Sequence, residues 1–276
     1  MNLVWALLIT LGAAGLAVAV MLLVRRRAPE GSYFTDGDRA SGVFGAIATG
    51  FSVLLGFIVF LAFTSYDKTR SGAETEATMV VQQVQTAQLF PPPTSATLAG
   101  DLICYGRYVV SDEWPRMRAG TIGNSINPWG VALFTTLKGV EPKTASEQSA
   151  YDQWLGQTSQ REQARLDRVH GAKGVIPTPL WYGLFFIAAI VFVYMLFFAD
   201  PGEGPVTQGM LIGSVVSVIT VLLILLVMLD RPYHPGVGGL QPVAMERSLE
   251  YVDRALASIH TTIPVPCNAA GARTGG

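Results

Sequence analysis

The chain has 276 residues, of which 50% are hydrophobic and 14% charged, and its formal net charge is −1. A mean hydropathy of +0.38 is too high for an ordinary soluble domain, while the charged fraction is too large for a chain lying wholly in lipid. Nucleic acid is excluded as an expected partner, since Arg25-Arg26-Arg27 is the only basic run. We therefore expect a protein that lies partly in a lipid bilayer and partly in water.

Four uncharged apolar runs are long enough to cross a bilayer, because a helix rises about 1.5 Å per residue against about 30 Å of hydrocarbon. The predicted spans are about residues 3–24, 43–64, 180–198 and 209–229. They form two pairs, in residues 1–65 and 177–230, and a polar, Gly-rich link at residues 28–42 joins the first two. The first run is too long for a signal peptide and is followed by arginines rather than a cleavage site, which favours a retained anchor.

Residues 66–176 predict a helical extramembrane domain. The second span continues without a stop signal to about Leu89, and Pro91-Pro92-Pro93 then ends the helix. A helix capped by Thr94 or Ser95 is expected to end near Pro115.

Two further helices of this domain have clear start signals. Asn127-Pro128 is a cap and first-turn pair for a short helix, and Thr144 with Glu147 forms a capping box that opens a long one. No alternating strand pattern is present, so the prediction is an all-α integral membrane protein with a helical extramembrane domain inserted between the second and third of four transmembrane helices.

Residues 231–276 begin with a turn and continue as an amphipathic helix at about residues 242–260. Its apolar positions are Met245, Leu249, Val252, Leu256 and Ile259. This spacing is typical of a narrow seam that packs on another helix, in this chain or in a neighbouring one. After Thr261 the composition predicts a flexible tail.

The spans contain no ionisable residue, which argues against a proton-coupled carrier, an intramembrane metalloenzyme or a voltage sensor. A pore lined by small, hydroxyl and apolar groups remains compatible with the sequence. Small residues recur down one face of the second span at Gly45, Thr49, Ser52 and Gly56. Such a stripe lines a lumen or allows close helix packing, and both interpretations stay open.

The extramembrane domain offers acidic and basic residues on predicted helices. We expect ion pairs between helices rather than catalysis from the set Glu74, Glu76, Glu113, Arg161 and Arg165, with Arg168 on the same face as the two arginines. Cys104, Cys267 and the three histidines follow no ligand spacing, so no metal, no cofactor and no enzymatic activity are expected.

Several stretches together resemble the bestrophin-like family of uncharacterised membrane proteins, over nearly the whole chain. They are Leu54-Leu-Gly-Phe57, Tyr66, Glu76-Ala77, Tyr105-Gly-Arg-Tyr-Val-Val-Ser-Asp-Glu-Trp-Pro115, Arg161 to Leu166, Ile176-Pro-Thr-Pro-Leu-Trp181, and Leu229-Asp-Arg-Pro-Tyr233 with Gly236.

The related bestrophins proper are homopentameric anion channels whose second membrane helix lines the pore and forms a hydrophobic neck. The resemblance therefore implies a homo-oligomer, with a pentamer favoured, and small inorganic ions, anions first, as the transported partners. Phe57, Phe60 and Phe63 are the candidates for the constriction. This chain lacks the proline that usually opens the neck, and Ile58 stands where an arginine is common.

We expect the protein in the plasma membrane, which in a bacterium is the inner membrane. Two arguments about its orientation there conflict. The arginines at positions 25–27 place the helical domain outside the cytoplasm, whereas bestrophins carry their large domain inside. We follow the arginines. Cys104 and Cys267 share one side of the membrane in either orientation, and a disulfide between them can form if that side is oxidising. The alternative to a channel is a non-conducting scaffold or sensor that binds a partner through the helical domain.

Overall fold

The computed structural model describes residues 3–29, 33–122 and 125–274. Regular structure in this part of the chain is helical, apart from one isolated antiparallel bridge between Cys267 and Arg273. The chain divides into two compact units, which we call the membrane unit (residues 1–65, 175–231 and 235–238) and the helical unit (residues 66–174, 232–234 and 239–276).

The α-helices are α1 (Leu3–Arg25), α2 (Gly37–Ala87), α3 (Thr94–Tyr108), α4 (Trp114–Arg118), α5 (Pro128–Lys138), α6 (Ala145–His170), α7 (Thr178–Phe197), α8 (Pro205–Asp230) and α9 (Val243–Ser258). A π-helical turn, Val109–Glu113, lies between α3 and α4, and a 3-10 turn, Gly171–Lys173, follows α6.

Four helices, α1, α2, α7 and α8, are long and apolar enough to cross a membrane, which confirms the expected number of candidate spans. Two of them, α2 and α8, begin four or more residues before the predicted start. The α2 helix starts at Gly37, inside the predicted link, because Asp36 accepts a hydrogen bond from the backbone N–H of Arg39 at 3.0 Å. The α8 helix starts at Pro205, whose fixed φ suits the first turn of a helix.

Within the membrane unit, α1 packs on α8 through small side chains. Ala17 and Met21 are buried against Ile212, and Val18 lies 3.4 Å from the position that a Cβ would occupy at Gly209 or at Gly213. These two glycines therefore allow the close approach of the helices.

Arg25 closes one end of the membrane unit. Its guanidinium donates to the backbone carbonyls of Asp200 at 3.0 Å and Pro201 at 2.9 Å, and also to that of Glu203. One of the three arginines at the end of α1 therefore holds the α7–α8 turn in place.

The helical unit contains the larger apolar core. Its largest fully buried side chains include Tyr105, Trp129 and Trp154. Both predicted helix starts are confirmed: Asn127 accepts from the N–H of Trp129 at 3.0 Å, and Thr144 accepts from the N–H of Glu147 at 3.2 Å. The Glu147 carboxylate accepts from the N–H of Lys143 at 2.8 Å, one residue before the expected position.

The segment around Pro115 differs from the prediction. The helix that starts at Thr94 does not end near this proline, since the π-helical turn leads directly into α4 and Pro115 occupies its first turn. A proline removes one backbone N–H from the helix, and it lies here next to the π-helical turn, where the regular hydrogen-bond pattern is already interrupted.

The apolar seam of α9 packs on its own chain. Met245 and Val252 are buried in the core of the helical unit, and Leu249 and Leu256 pack against it, whereas Ile259 is exposed. The sequence left open whether this seam packs on its own chain or on a neighbouring one, and the structure shows packing on its own chain.

The tail differs from the expected flexible segment. Cys267 is bonded to Cys104, and Gly271 accepts a hydrogen bond from the indole of Trp129 at 2.7 Å. The tail contains few large apolar residues, but the disulfide, backbone contacts and the packing of Ile263 and Val265 against the core hold it in place.

Candidate functional site

One face of the membrane half of α2 is packed. Phe51, Leu55, Ile58 and Ala62 are buried at spacings of four, three and four residues, which is the period of one helix face. They contact a cluster that includes Leu184 and Val191 of α7 and Leu226 of α8, all buried. This packed face fixes the rotation of α2 in the membrane unit.

The remaining surface of this helix carries every predicted pore residue. Gly45, Thr49, Ser52, Gly56, Phe57, Phe60 and Phe63 are all exposed. The exposed fractions of the phenylalanines are 60%, 60% and 53% in chain order. Large aromatic groups thus project from α2 without a partner from the described part of their own chain.

The two glycines of the small-residue stripe make no close helix contact within the described part of the chain. A Cβ added at Gly45 or at Gly56 meets no atom within 4 Å, in contrast to Gly213 on α8. The hydroxyl of Ser52 donates to the carbonyl of Ala48 at 2.9 Å, which satisfies its hydrogen without a neighbouring helix. Packing inside one subunit therefore does not account for the stripe, and a lumen, lipid or a second copy is left to contact it.

The helical unit contains a buried cluster of charges centred on Arg168 of α6. The guanidinium donates to both carboxylate oxygens of Glu76 on α2, at 2.9 Å for the Oε1 contact, and to Glu113 Oε2 at 2.5 Å. All three side chains are fully buried. Arg168 thus bridges two glutamates that come from separate segments of the chain.

Three neighbours complete the cluster. Arg165 donates to Glu113 Oε1 at 2.8 Å, and the hydroxyl of Tyr105 donates to Glu76 Oε1 at 2.5 Å. The Arg161 guanidinium lies 4.7 Å above the ring of Tyr105 and donates to Gln83 Oε1 at 2.7 Å. Buried charges are stable only when they are paired and hydrogen-bonded, and both conditions are met for Arg168 and the two glutamates, whereas Nε of Arg161 has no hydrogen-bond partner among the described residues.

Glu113 and Arg168 are held in their ionised forms. Burial alone would raise the pKa of Glu113, but the positive charges of Arg168 and Arg165 outweigh it and hold this pKa below its ordinary value. Burial would lower the pKa of Arg168, yet Glu76 and Glu113 raise it well above its usual range. Neither of these two groups exchanges a proton near neutral pH, so their pairing is suited to holding helices together rather than to acid–base chemistry.

The π-helical turn brings Glu113 into the cluster. Turns of this type insert an extra residue into a helix and shift the side chains that follow. Next to it, the indole of Trp114 donates to the carbonyl of Leu240 at 3.3 Å, and the hydroxyl of Tyr233 donates to the carbonyl of Arg168 at 2.8 Å. The turn after α8 and the loop before α9 are thereby fixed to the same helical unit.

Four of the predicted inter-helix ion-pair residues, Glu76, Glu113, Arg161 and Arg165, lie in the buried cluster. Arg161, however, pairs with Glu162 of its own helix at 3.0 Å. Glu74 lies outside the cluster and pairs on the surface with Arg70 of the same helix at 3.0 Å. Sequence reasoning missed Tyr105 and Gln83. A tyrosine on a predicted apolar helix face was the available signal, because a buried phenol needs a hydrogen-bond partner.

The structure bonds Cys104 to Cys267, so neither described cysteine is a free thiol. In the described ranges, no group of three or more His, Cys, Asp or Glu side chains is arranged to hold a metal ion.

The chain was compared with family models, curated proteins and solved structures. The model of a family described as the Bestrophin-like domain matches residues 4–244. A search of curated proteins finds no match.

Among solved structures, a single-residue variant of a bacterial bestrophin homolog from Klebsiella pneumoniae aligns with a TM-score of 0.65 and 12% identity, covering 95% of this chain and 100% of that chain. Another variant of that homolog has a TM-score of 0.65 and 11% identity, with 93% and 98% coverage. A structure described as a membrane protein has a TM-score of 0.66 and 13% identity, with 94% and 99% coverage. At these identities the likeness concerns the fold.

Proposed function

We infer a function from the premise that this chain belongs to the bestrophin-like domain family, whose model covers most of its length. We propose that it is a homo-oligomeric membrane channel in which the outward face of α2 lines the path of small ions. The resemblance of the sequence to bestrophins favours anions as the transported ions and a ring of five subunits. No chemical reaction is assigned to the protein.

One observation carries this proposal: α2 packs one face in its own subunit and leaves an uncharged face of small, hydroxyl and aromatic side chains uncovered. In a ring of subunits with α2 nearest the axis, the uncovered face meets its copies around a central space. Phe57, Phe60 and Phe63 would then narrow the path, and apolar rings of this kind gate by excluding water.

The proposed arrangement in the membrane follows the order of the spans. The helices α1 and α2 form the first pair and α7 and α8 the second; residues 66–174 of the helical unit lie between the pairs in sequence, and its residues 239–276 follow α8. Two independent observations support an extracytoplasmic helical unit. Arg25-Arg26-Arg27 at the end of α1 favours a cytoplasmic location for that end, and α2 then crosses the membrane to the other side. The Cys104–Cys267 disulfide requires an oxidising compartment.

The orientation has a direct test. An alkylating reagent added to intact cells should modify neither Cys104 nor Cys267, because both are bonded. The electrophoretic mobility of the protein should differ with and without reductant. Identical migration, with both cysteines alkylated before reduction, would contradict the orientation.

Conduction is tested with purified protein in planar bilayers. We expect ion currents from the wild type and a changed conductance for Phe57→Ala. The matched control is Phe134→Ala on α5, which removes a phenylalanine of similar exposure, 67%, from the helical unit. Silent bilayers together with a monomeric or dimeric particle would refute the channel.

The scaffold or sensor alternative is supported by an open groove of about 380 Å³ on the helical unit. Its lining comes from α2 and α9: Thr78, Val81, Gln82, Gln85, Arg247, Ser248 and Tyr251. A partner that co-purifies in stoichiometric amount and is lost in Tyr251→Ala, with bilayers silent for the isolated oligomer, would favour this alternative over the channel.

A further inference from the structure

One end of the membrane unit carries three consecutive arginines beside the turn between α7 and α8. The helix α1 ends at Arg25, and Arg26 and Arg27 follow it directly. Arg25 donates to backbone carbonyls of that turn, and the turn begins directly after Phe198, which caps α7. The arginines and the carboxyl end of α7 therefore lie at the same end of the membrane unit.

Six aromatic rings gather at this end of the membrane unit. The ring of Phe34 lies 4.9 Å from that of Phe198 and 6.0 Å from that of Tyr194, measured between centroids. The N–H of Tyr33 donates to the carbonyl of Phe197 at 3.2 Å, which fixes this part of the chain to α7. Tyrosine rings are enriched where a membrane meets water, so this end has the character of an interface. The whole group, which we call the aromatic cluster, consists of Tyr33, Phe34, Phe44, Tyr194, Phe197 and Phe198.

The surface next to the arginines is apolar. Leu22 and Leu23, in the last turn of α1, are exposed, and the buried residues of this helix are Ala17 and Met21 on the seam with α8. Acyl chains are the natural cover for such a surface in a membrane. An arginine that follows it can lay its methylene stem along the chains and keep its guanidinium among the headgroups.

Arg26 and Arg27 are exposed, and the structure gives neither of them an ion pair or a side-chain hydrogen bond with another described residue. A guanidinium donates two parallel hydrogen bonds to one phosphate, which makes arginine well suited to phosphate recognition. Two adjacent guanidinium groups at the end of an apolar helix therefore match a phosphate whose acyl chains lie beside that helix.

The carboxylates described at this end have other roles. Asp36 accepts from a backbone N–H of α2 at 3.0 Å, and Asp200 accepts from a backbone N–H of its own turn at 2.8 Å. Glu203 accepts from the side-chain amide of an α8 glutamine at 3.2 Å. Asp38 lies in the first turn of α2, where the helix dipole favours a negative charge. Arg26 and Arg27 thus face an anion that comes from outside the subunit.

We propose that this end of the membrane unit binds an anionic phospholipid. Arg26 and Arg27 pair with its phosphate, Leu22 and Leu23 contact its acyl chains, and the aromatic cluster lies at the level where chains and headgroup meet. A zwitterionic headgroup binds less tightly, because its own ammonium group competes with the arginines for the phosphate. The site uses no residue of the proposed pore and does not depend on ion conduction.

The test is a titration of the purified full-length protein, in detergent, with fluorescently labelled phosphatidylglycerol and, separately, with labelled phosphatidylcholine. We expect the wild type to bind phosphatidylglycerol more tightly. The double variant Arg26→Gln/Arg27→Gln should weaken this binding about 25-fold, since one basic side chain near an anionic lipid surface contributes about fivefold. Binding of phosphatidylcholine should change much less.

The matched control is Arg247→Gln/Arg254→Gln, which removes two exposed arginines from α9 of the helical unit. It should bind phosphatidylglycerol as the wild type does, and Arg26→Lys/Arg27→Lys should retain most of the binding because the charges remain. Equal affinity of the wild type for the two lipids would overturn the proposal. Undiminished phosphatidylglycerol binding by Arg26→Gln/Arg27→Gln, or an equal loss in the α9 pair, would do the same.

Discussion

The two units use their side chains in opposite ways. The helical unit buries a cluster of charged groups that pair with one another, as Arg168 shows with Glu76 and Glu113. The membrane unit leaves large apolar groups uncovered, as Phe57 and Phe60 show on α2. The helical unit thus pairs these buried charges within one chain, whereas the apolar surface of the membrane unit requires apolar surroundings such as lipid.

The largest expected effect comes from Arg168→Leu. It leaves two buried glutamates without their shared cation, which should cost about 3–5 kcal/mol of the free energy of unfolding. Thermal unfolding of the purified protein in detergent measures the loss. The control is Arg254→Leu, whose pair with Glu250 is exposed. Equal loss in the two variants would show that burial of the cluster contributes nothing.

The next effect separates the two faces of α2. Leu55 is 1% exposed, so Leu55→Ala should cost about 2–3 kcal/mol through lost contacts and a cavity. Phe60 is 60% exposed, and Phe60→Ala should change the stability of a dissociated subunit by less than about 0.5 kcal/mol. Thermal unfolding of both purified variants in detergent measures these two losses. A loss for Phe60→Ala as large as that for Leu55→Ala would place Phe60 in the packed face.

A third effect depends on pH. The charges of Arg168 and Arg165 outweigh the effect of burial and lower the pKa of Glu113. Ionised Glu113 therefore stabilises the fold fully above the ordinary carboxyl pKa, and this stabilisation is lost as the pH falls through the lowered pKa. Glu113→Gln should therefore be less stable than wild type by about 1.5–3 kcal/mol at pH 7. The two stability curves should converge in acid. A difference that is constant with pH would exclude the charge of Glu113 as its cause.

The smallest effect is expected at Gly45. An added Cβ meets no atom within 4 Å, so Gly45→Ala should leave the subunit fold intact and retain the oligomer if the stripe faces a lumen. Mass measurement of the detergent particle tests this. Dissociation of the oligomer by this one methyl group would instead show that the stripe is a contact between copies.

Local signals predicted the elements that depend on neighbouring residues. The four candidate spans follow from apolar runs, and the starts of α5 and α6 follow from Asn127 and Thr144, since a cap involves only the next three residues. The early start of α2 was missed because Asp36 was assigned to a Gly-rich link.

Features that join distant segments were only partly predictable. Glu76, Glu113 and Arg165 were expected in ion pairs, but the bridging position of Arg168 depends on the π-helical turn at Val109–Glu113, which has no simple sequence signal. The Cys104–Cys267 disulfide, which joins residues 163 positions apart, was expected for an oxidising side, but the other contacts of the tail, such as that of Gly271 with Trp129, were not predicted. Contacts over such separations are set by the folded core and not by local composition.

The central claim, that the outward face of α2 lines a water-filled path, is tested most directly by single-cysteine substitution in bilayers. The described native cysteines are disulfide-bonded, so an introduced thiol is the one expected to react. Phe60→Cys and Thr49→Cys should lose current when a charged, membrane-impermeant methanethiosulfonate is added, and Leu55→Cys on the packed face should not. Current loss for Leu55→Cys alone, or unchanged current for both outward positions, would contradict the claim.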